Sequence, residues 1–221
     1  MSPFPVRMID RWEHRAEPGP NEGAVYWHIL FQDQPQVTKL ARYAQERLAS
    51  FSGLHMTPLK WLHMTTLALG AAESIKPDQR SHLVSEASRR LQMIQPTTIK
   101  MDRVLYHPEA IMAGTSSPES LSPIHEAIKA ASRTALGRDV HTEPSSWTPH
   151  ITLCYSTEEQ QAAPLIEALG NELPPYEITI RTVSLVLQRG AERLWDWHPI
   201  AHVPLGGTNG EARDDSQFPS L

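Results

Sequence analysis

At 221 residues, 40% hydrophobic and 20% charged, the chain is long enough to bury a core and too apolar for full disorder. Its formal charge of −5 speaks against broad binding to duplex DNA or long RNA, which needs many Lys and Arg contacts to phosphates; a small anionic ligand held by a few donors remains open. Cys154 is the only cysteine, which excludes an internal disulfide and a Cys-rich zinc site. No apolar run approaches the roughly 20 residues of a membrane helix, and the N-terminal MSPFPVRMIDRWEHR lacks the apolar stretch of an export signal, so a cytoplasmic monomer with no membrane association is expected.

Residues 1–22 are rich in Pro, Glu and Arg without periodicity and are expected to be mobile. Ala24 to Phe31 reads as a strand, with Val25, Trp27, Ile29 and Phe31 on one face at period two. Val37, Leu40, Ala41, Ala44, Leu48 and Phe51 recur at helical spacing, and Gly53 stands where that helix would end. Trp61 to Leu69 reads as a second strand. Pro77 opens a helix with the stripe Leu83, Val84, Ala87, Leu91 and Ile94, stopped by Pro96. A strand pair follows, about Ile99 to Tyr106 and Ala110 to Thr115, turning at His107, Pro108 and Glu109.

Ser122 and Pro123 read as the cap and first position of a helix carrying Ile124, Ala127, Ile128 and Ala131 and ending near Gly137. His150 to Tyr155 reads as a strand. Thr157 with Gln160 has a capping-box pattern for a helix with Ala162, Leu165, Ile166 and Leu169, closed by Gly170. A final hairpin spans about Tyr176 to Gln188 and Arg193 to Val203, turning at Arg189 and Gly190. The tail, 206–221, is polar with few apolar anchors and is expected to be disordered.

The order strand, helix, strand pair therefore occurs twice, from Trp61 and from His150, and each copy opens on a strand carrying His-x-Thr. Two such lobes related by a pseudo-twofold can point both histidines into one cleft. On a strand, alternate side chains share a face, so His63 and Thr65 form one unit and His150 and Thr152 another. Imidazole can give or take a proton near neutral pH, and a threonine hydroxyl can donate to a phosphoryl oxygen. Two copies suit phosphodiester hydrolysis: one histidine deprotonates water, the other protonates the leaving oxygen, and the threonines stabilise charge on the non-bridging oxygens without a cofactor or metal.

A single motif says little, since 11 histidines and 15 threonines give about 0.7 His-x-Thr triplets by chance. The third triplet, His55-Met56-Thr57, lies between Gly53 and Pro58 and is expected to be loop rather than strand. The stretches LHMTTLALG and TPHITLCYS, around His63 and His150, resemble the paired motifs of the 2H phosphoesterase superfamily, in particular its bacterial branch named after 2′,5′-RNA ligase, over most of residues 24–205. The resemblance implies an α+β fold of two pseudo-twofold lobes, each an antiparallel-rich sheet with flanking helices around a central cleft, in one bilobal domain at 23–205. It also implies metal-independent catalysis by His63, Thr65, His150 and Thr152 on 2′,3′-cyclic phosphates of nucleotides or RNA 3′ ends, or on 2′,5′-linked nucleotides, with ligation as the reverse reaction. By the same analogy His63 protonates the leaving oxygen and His150 activates water.

Many relatives carry an arginine a few residues after the second motif, whereas this chain has Tyr155 and Ser156 there; Arg181, Arg189, Arg193 and Arg103 are the alternatives considered. His28, His107, His198 and His202 read as structural. Trp27, Trp61, Trp147, Trp195 and Trp197 read as core or cleft rim, with base stacking as the other option. Cys154 shares a face with His150 and Thr152 on an ideal strand and is read as a small buried hydrophobe. Two readings compete: the same site acting on another small phosphodiester, such as ADP-ribose cyclic phosphate or a cyclic dinucleotide, and a nucleotide-binding module without turnover.

Overall fold

The computed structural model describes residues 4–16, 18–19, 22–140, 147–194 and 197–206. In chain order the elements are β1 (Arg7–Met8), β2 (Gly23–Leu30), α1 (Pro35–Leu48), β3 (Leu54–Met56), β4 (His63–Ala71), α2 (Pro77–Leu91), β5 (Thr97–His107), β6 (Ala110–Thr115), α3 (Ser122–Leu136), β7 (His150–Ser156), β8 (Gln160–Gln161), α4 (Ala163–Leu169), β9 (Glu172–Ile180), β10 (Thr182–Arg189) and β11 (Trp197–Pro204). They build two antiparallel sheets, ordered β11-β10-β2-β4 and β3-β7-β6-β5-β9, and a small β1-β8 pair. The fold is α+β and bilobal: α2 and α3 pack together on the first sheet, while α1 and α4 cover the second.

The period-two alternation in β2 does what it dictates. Val25, Trp27, Ile29 and the following Phe31 are buried in the main core, and each such side chain contributes roughly 1.5–3 kcal/mol by leaving water. The α1 stripe Val37, Leu40, Ala41, Ala44 and Leu48 is likewise fully buried. Pro77 and Pro123 sit in the first turns of α2 and α3, where a missing N–H costs nothing, and Gly137 ends α3 in the left-handed region (φ 64°). The Trp27 indole donates to Ser132 Oγ (3.1 Å), which donates on to the Ile128 carbonyl (2.8 Å), pinning α3 to the back of β2.

Several boundaries depart from the sequence reading. The lobes are not the two sequential halves: β5 and β6 extend the sheet of β7, while β10 and β11 join β2 and β4. The single strand expected from Tyr176 to Gln188 breaks at Arg181 into β9 and β10, one in each sheet. Arg181 is where the chain crosses, and its carbonyl accepts from Leu205 N–H (2.8 Å) instead of from a ladder partner. The capping box expected at Thr157 is absent, because Gln160 and Gln161 pair with Met8 and Arg7 and α4 begins only at Ala163. Leu54–Met56, expected to be loop, forms a short edge strand on β7 before Pro58 removes the next donor.

The N-terminal segment, expected to be mobile, is tied down over residues 4–16. Met8 and Trp12 are buried, and Ile9 N–H and Arg11 N–H donate to the carbonyls of Pro108 (2.9 Å) and Ser156 (3.0 Å). Two well-separated apolar anchors fix the segment although no periodicity announces them. The tail expected to be disordered lies, beyond Gly206, outside the described residues, as does Trp195. Among the described residues no helix is long and apolar enough to cross a membrane.

Candidate functional site

The sheets meet along the two motif strands, β4 and β7. Each of these strands has a β-bulge immediately after its motif threonine. In β4, His28 opposes Thr65 and Trp27 opposes Leu67, leaving Thr66 as the extra residue; in β7, Met112 opposes Thr152 and Ile111 opposes Cys154, leaving Leu153. A bulge shifts the alternation by one residue, so side chains beyond it change faces. In β7 this turns Cys154 into the main core and brings Tyr155 to the cleft face with His150 and Thr152. The expectation from an ideal strand, that Cys154 shares the motif face, is corrected on this ground; burial pushes its thiol pKa up to about 12, and it remains the small buried hydrophobe the sequence indicated.

His63, Thr65, His150 and Thr152 all line one cavity of about 600 Å³ between the lobes. His63 is 8% exposed, and Thr65, His150 and Thr152 are half-buried. The two imidazoles are held in the same way: Nδ1 of His63 meets the Trp61 carbonyl at 2.8 Å, and Nδ1 of His150 meets the Thr148 carbonyl at 2.8 Å. A carbonyl only accepts, so Nδ1 carries the proton in each ring, and in the neutral imidazole Nε2 is then the unprotonated nitrogen. The third triplet contributes nothing to this cavity: His55 Nε2 lies 3.0 Å from the Arg193 carbonyl, and Thr57 is buried.

Burial lowers the pKa of His63 to about 4; the Trp61 hydrogen bond opposes this and His150 adds to it. The pKa of His150 is also lowered, by burial first, with the Thr148 hydrogen bond opposing and His107 and Arg11 reinforcing it. Both rings are therefore neutral at neutral pH. Above about pH 6.5 the folded and unfolded chains both hold His63 neutral. Between 6.5 and about 4 the unfolded chain takes up a proton that His63 in the folded state does not, so stability falls with pH and levels off below the folded pKa. This ring's share is on the order of 3 kcal/mol. Denaturant unfolding at pH 7 and pH 4.5 should show a smaller acid loss for His63→Gln than for the parent, and an equal loss would contradict this account of the ring.

Two further histidines bear on the site. His28 is fully buried, its ring stacked on Tyr26 and 4.3 Å from His63 between centroids, and burial holds its pKa well below the usual value. His107, at the end of β5, lines the cleft. Tyr26, Tyr106 and Tyr155 line it as well, while Trp197 lies 5.1 Å from the His63 ring. Trp147 bridges the motifs by donating from its indole to the Thr65 carbonyl (3.0 Å), one residue before the Thr148 that orients His150.

The cation that sequence reasoning sought on the hairpins is not there. None of Arg103, Arg181, Arg189 and Arg193 lines the cleft; among the described residues its one Lys or Arg is Arg11, from the N-terminal segment. Arg11 donates from Nη1 to Glu109 (2.9 Å) and from Nη2 and Nε to Glu192 (2.6 and 3.1 Å), and its guanidinium stacks 4.6 Å over the Tyr155 ring. Burial works against its charge, but the Glu192 hydrogen bond and the charges of Glu192 and Glu109 outweigh it and raise its pKa. Among the described residues no group of three or more His, Cys, Asp or Glu side chains is placed to hold a metal ion.

Two antiparallel lobes that each offer a His-x-Thr strand to a shared cleft define the 2H phosphoesterase class of fold. The family model for the 2′-5′ RNA ligase superfamily matches residues 31–192, and the chain belongs to that superfamily. Among solved structures, TT0787 of Thermus thermophilus is similar with a TM-score of 0.66 at 16% identity, over 83% of this chain and 99% of that one. E. coli LigT complexed with ATP is similar with a TM-score of 0.64 at 14% identity, over 84% of this chain and 99% of that one. E. coli LigT complexed with 3′-AMP gives 0.61 at 15%, over 86% and 99%. No curated protein sequence matches the chain.

Proposed function

We propose that the chain is a phosphodiesterase that opens 2′,3′-cyclic phosphates of nucleotides or short RNA ends, using His63, Thr65, His150 and Thr152 without a metal. The observation that carries this reading is the matched pair of imidazoles in one cleft, each fixed through Nδ1 to a carbonyl two residues upstream. Nε2 of one ring takes a proton from water as its oxygen bonds to phosphorus. The P–O bond to the ribose oxygen breaks on the opposite side, and the other ring's Nε2–H gives that oxygen its proton. Water's two parts end on phosphate and ribose, so the reaction balances as hydrolysis; with the hydroxyl of a second ribose attacking in place of water, the same displacement leaves a new phosphodiester and is ligation, and its reverse regenerates the cyclic phosphate. Thr65 and Thr152 donate to the non-bridging oxygens.

We keep the family-based direction, with His63 as acid and His150 as base. Both rings begin neutral, so the acid must be charged before it acts, and an anionic phosphate beside His63 favours that charge. Nucleotides suit the cleft's size and its tyrosine lining, and structures of LigT with ATP, 3′-AMP and NADP+ agree with a nucleotide ligand. The test is incubation with the four nucleoside 2′,3′-cyclic monophosphates followed by phosphorus NMR of the product. One regioisomer, the 2′- or the 3′-phosphate, is expected. Failure to open any of the four would reject this substrate class and favour another small phosphodiester.

A further inference from the structure

The cleft wall contains a charged side chain that the two motifs do not account for. Arg11 belongs to a segment that crosses from one lobe to the other: β1 pairs with β8, Arg11 N–H is anchored on Ser156 at the end of β7, and the next side chain, Trp12, donates through its indole to Glu192 (3.0 Å). Its two carboxylate partners come from different lobes, Glu109 from the β5–β6 turn and Glu192 from the loop after β10. Arg11 thus ties the two lobes together at the cleft wall, with its guanidinium face on Tyr155, the residue that the bulge after Thr152 turned inward.

We infer that Arg11 is the residue that recognises the phosphate of the bound nucleotide, supplied to the cleft by the N-terminal segment rather than by a motif strand; this rests on the phosphodiesterase reading above. Apart from Arg11, the polar groups of the cavity wall are histidines, hydroxyls and the carboxylates of Glu109 and Glu192, so without Arg11 the wall would carry negative charge only and would repel a phosphate. With Arg11, and with Arg15 on Glu109 (2.7 Å), the acidic side chains are matched. The two carboxylates and the tyrosine ring fix the guanidinium plane, which lowers the entropy lost when it meets a ligand. A guanidinium has more N–H donors than these three bonds use, and a planar fork matches phosphate oxygens.

The test is a binding measurement, so it does not depend on turnover. Calorimetry of the full chain with 3′-AMP and with adenosine reads the phosphate's share of affinity directly. The parent protein is expected to prefer 3′-AMP by about ten-fold or more, as one charge-assisted contact would give. Arg11→Gln is expected to bring that preference to about threefold or less with adenosine affinity unchanged, and Arg11→Lys to retain an intermediate preference. A merely structural Arg11 would weaken both ligands alike. An undiminished preference in Arg11→Gln, or no preference in the parent, overturns the inference. If near-UV circular dichroism shows Arg11→Gln to be misfolded, Arg11→Lys decides: a full preference overturns the inference and a partial one supports it. Should the parent bind 3′-AMP through Arg11 yet open no 2′,3′-cyclic phosphate, the 2′,3′-cyclic phosphate reading falls and the phosphate site stands.

Discussion

Alanine at His63 or at His150 is expected to lower kcat on a 2′,3′-cyclic phosphate by about 10²–10⁴-fold, with the two losses of comparable size. The symmetry of the site is the reason. Each ring is oriented by one carbonyl at 2.8 Å and offers one Nε2, so neither can stand in for the other on the far side of phosphorus. The effects should not multiply, because two groups that act in one displacement fail together, and the double variant should be about as slow as either single one. KM should move less than kcat, since Thr65, Thr152 and Arg11 still line the cleft. Steady-state kinetics of the three variants checks this. A loss confined to one histidine would mean that only one motif takes part in proton transfer.

Valine at Thr65 or at Thr152 keeps the β-branched shape of the strand residue and removes the hydroxyl, and each change is expected to cost about 10²-fold in kcat if the hydroxyl donates to a phosphoryl oxygen as charge builds there. Serine retains the donor and should recover most of the rate. The threonines sit directly before the bulges, so a packing defect is the obvious rival explanation. It is separated by unfolding measurements: a packing defect would lower stability in the valine variants in step with activity, whereas loss of a donor lowers kcat alone. Equal activity of valine and threonine at both positions would remove the hydroxyls from the mechanism.

Much of this was legible in the sequence, and the legible part is that governed by local pattern. The alternation in β2, the stripes of α1 and α2, the glycine end of α3 and both motif strands follow from spacing and end signals. What was not legible depends on partners distant in the chain. Nothing in Tyr176 to Gln188 marks Arg181 as a crossover, because the residues on either side all favour strand and only the two sheets pull them apart. The bulge at Leu153 is equally silent: Leu153, Cys154 and Tyr155 would each fit a regular strand, and only the register against β6 shows which one faces the cleft. Arg11 escaped notice because its segment has no periodicity, although Met8 and Trp12 were the available signal that it has something to pack against. The meeting of the two histidines in one cleft was readable because the motif repeats, His-x-Thr twice on strands, whereas a single arginine has no second copy to vouch for it.

The central claim is that two histidines on opposite walls of one cleft act together on a phosphodiester and need no metal. The most direct measurement compares the wild-type protein with the His63→Ala/His150→Ala variant on nucleoside 2′,3′-cyclic monophosphates, both after treatment with a chelator. Turnover by the wild type that survives the chelator and falls by about 10²–10⁴-fold in the double variant is the expected result; wild-type turnover abolished by the chelator, or a double variant as active as the parent, would contradict the claim.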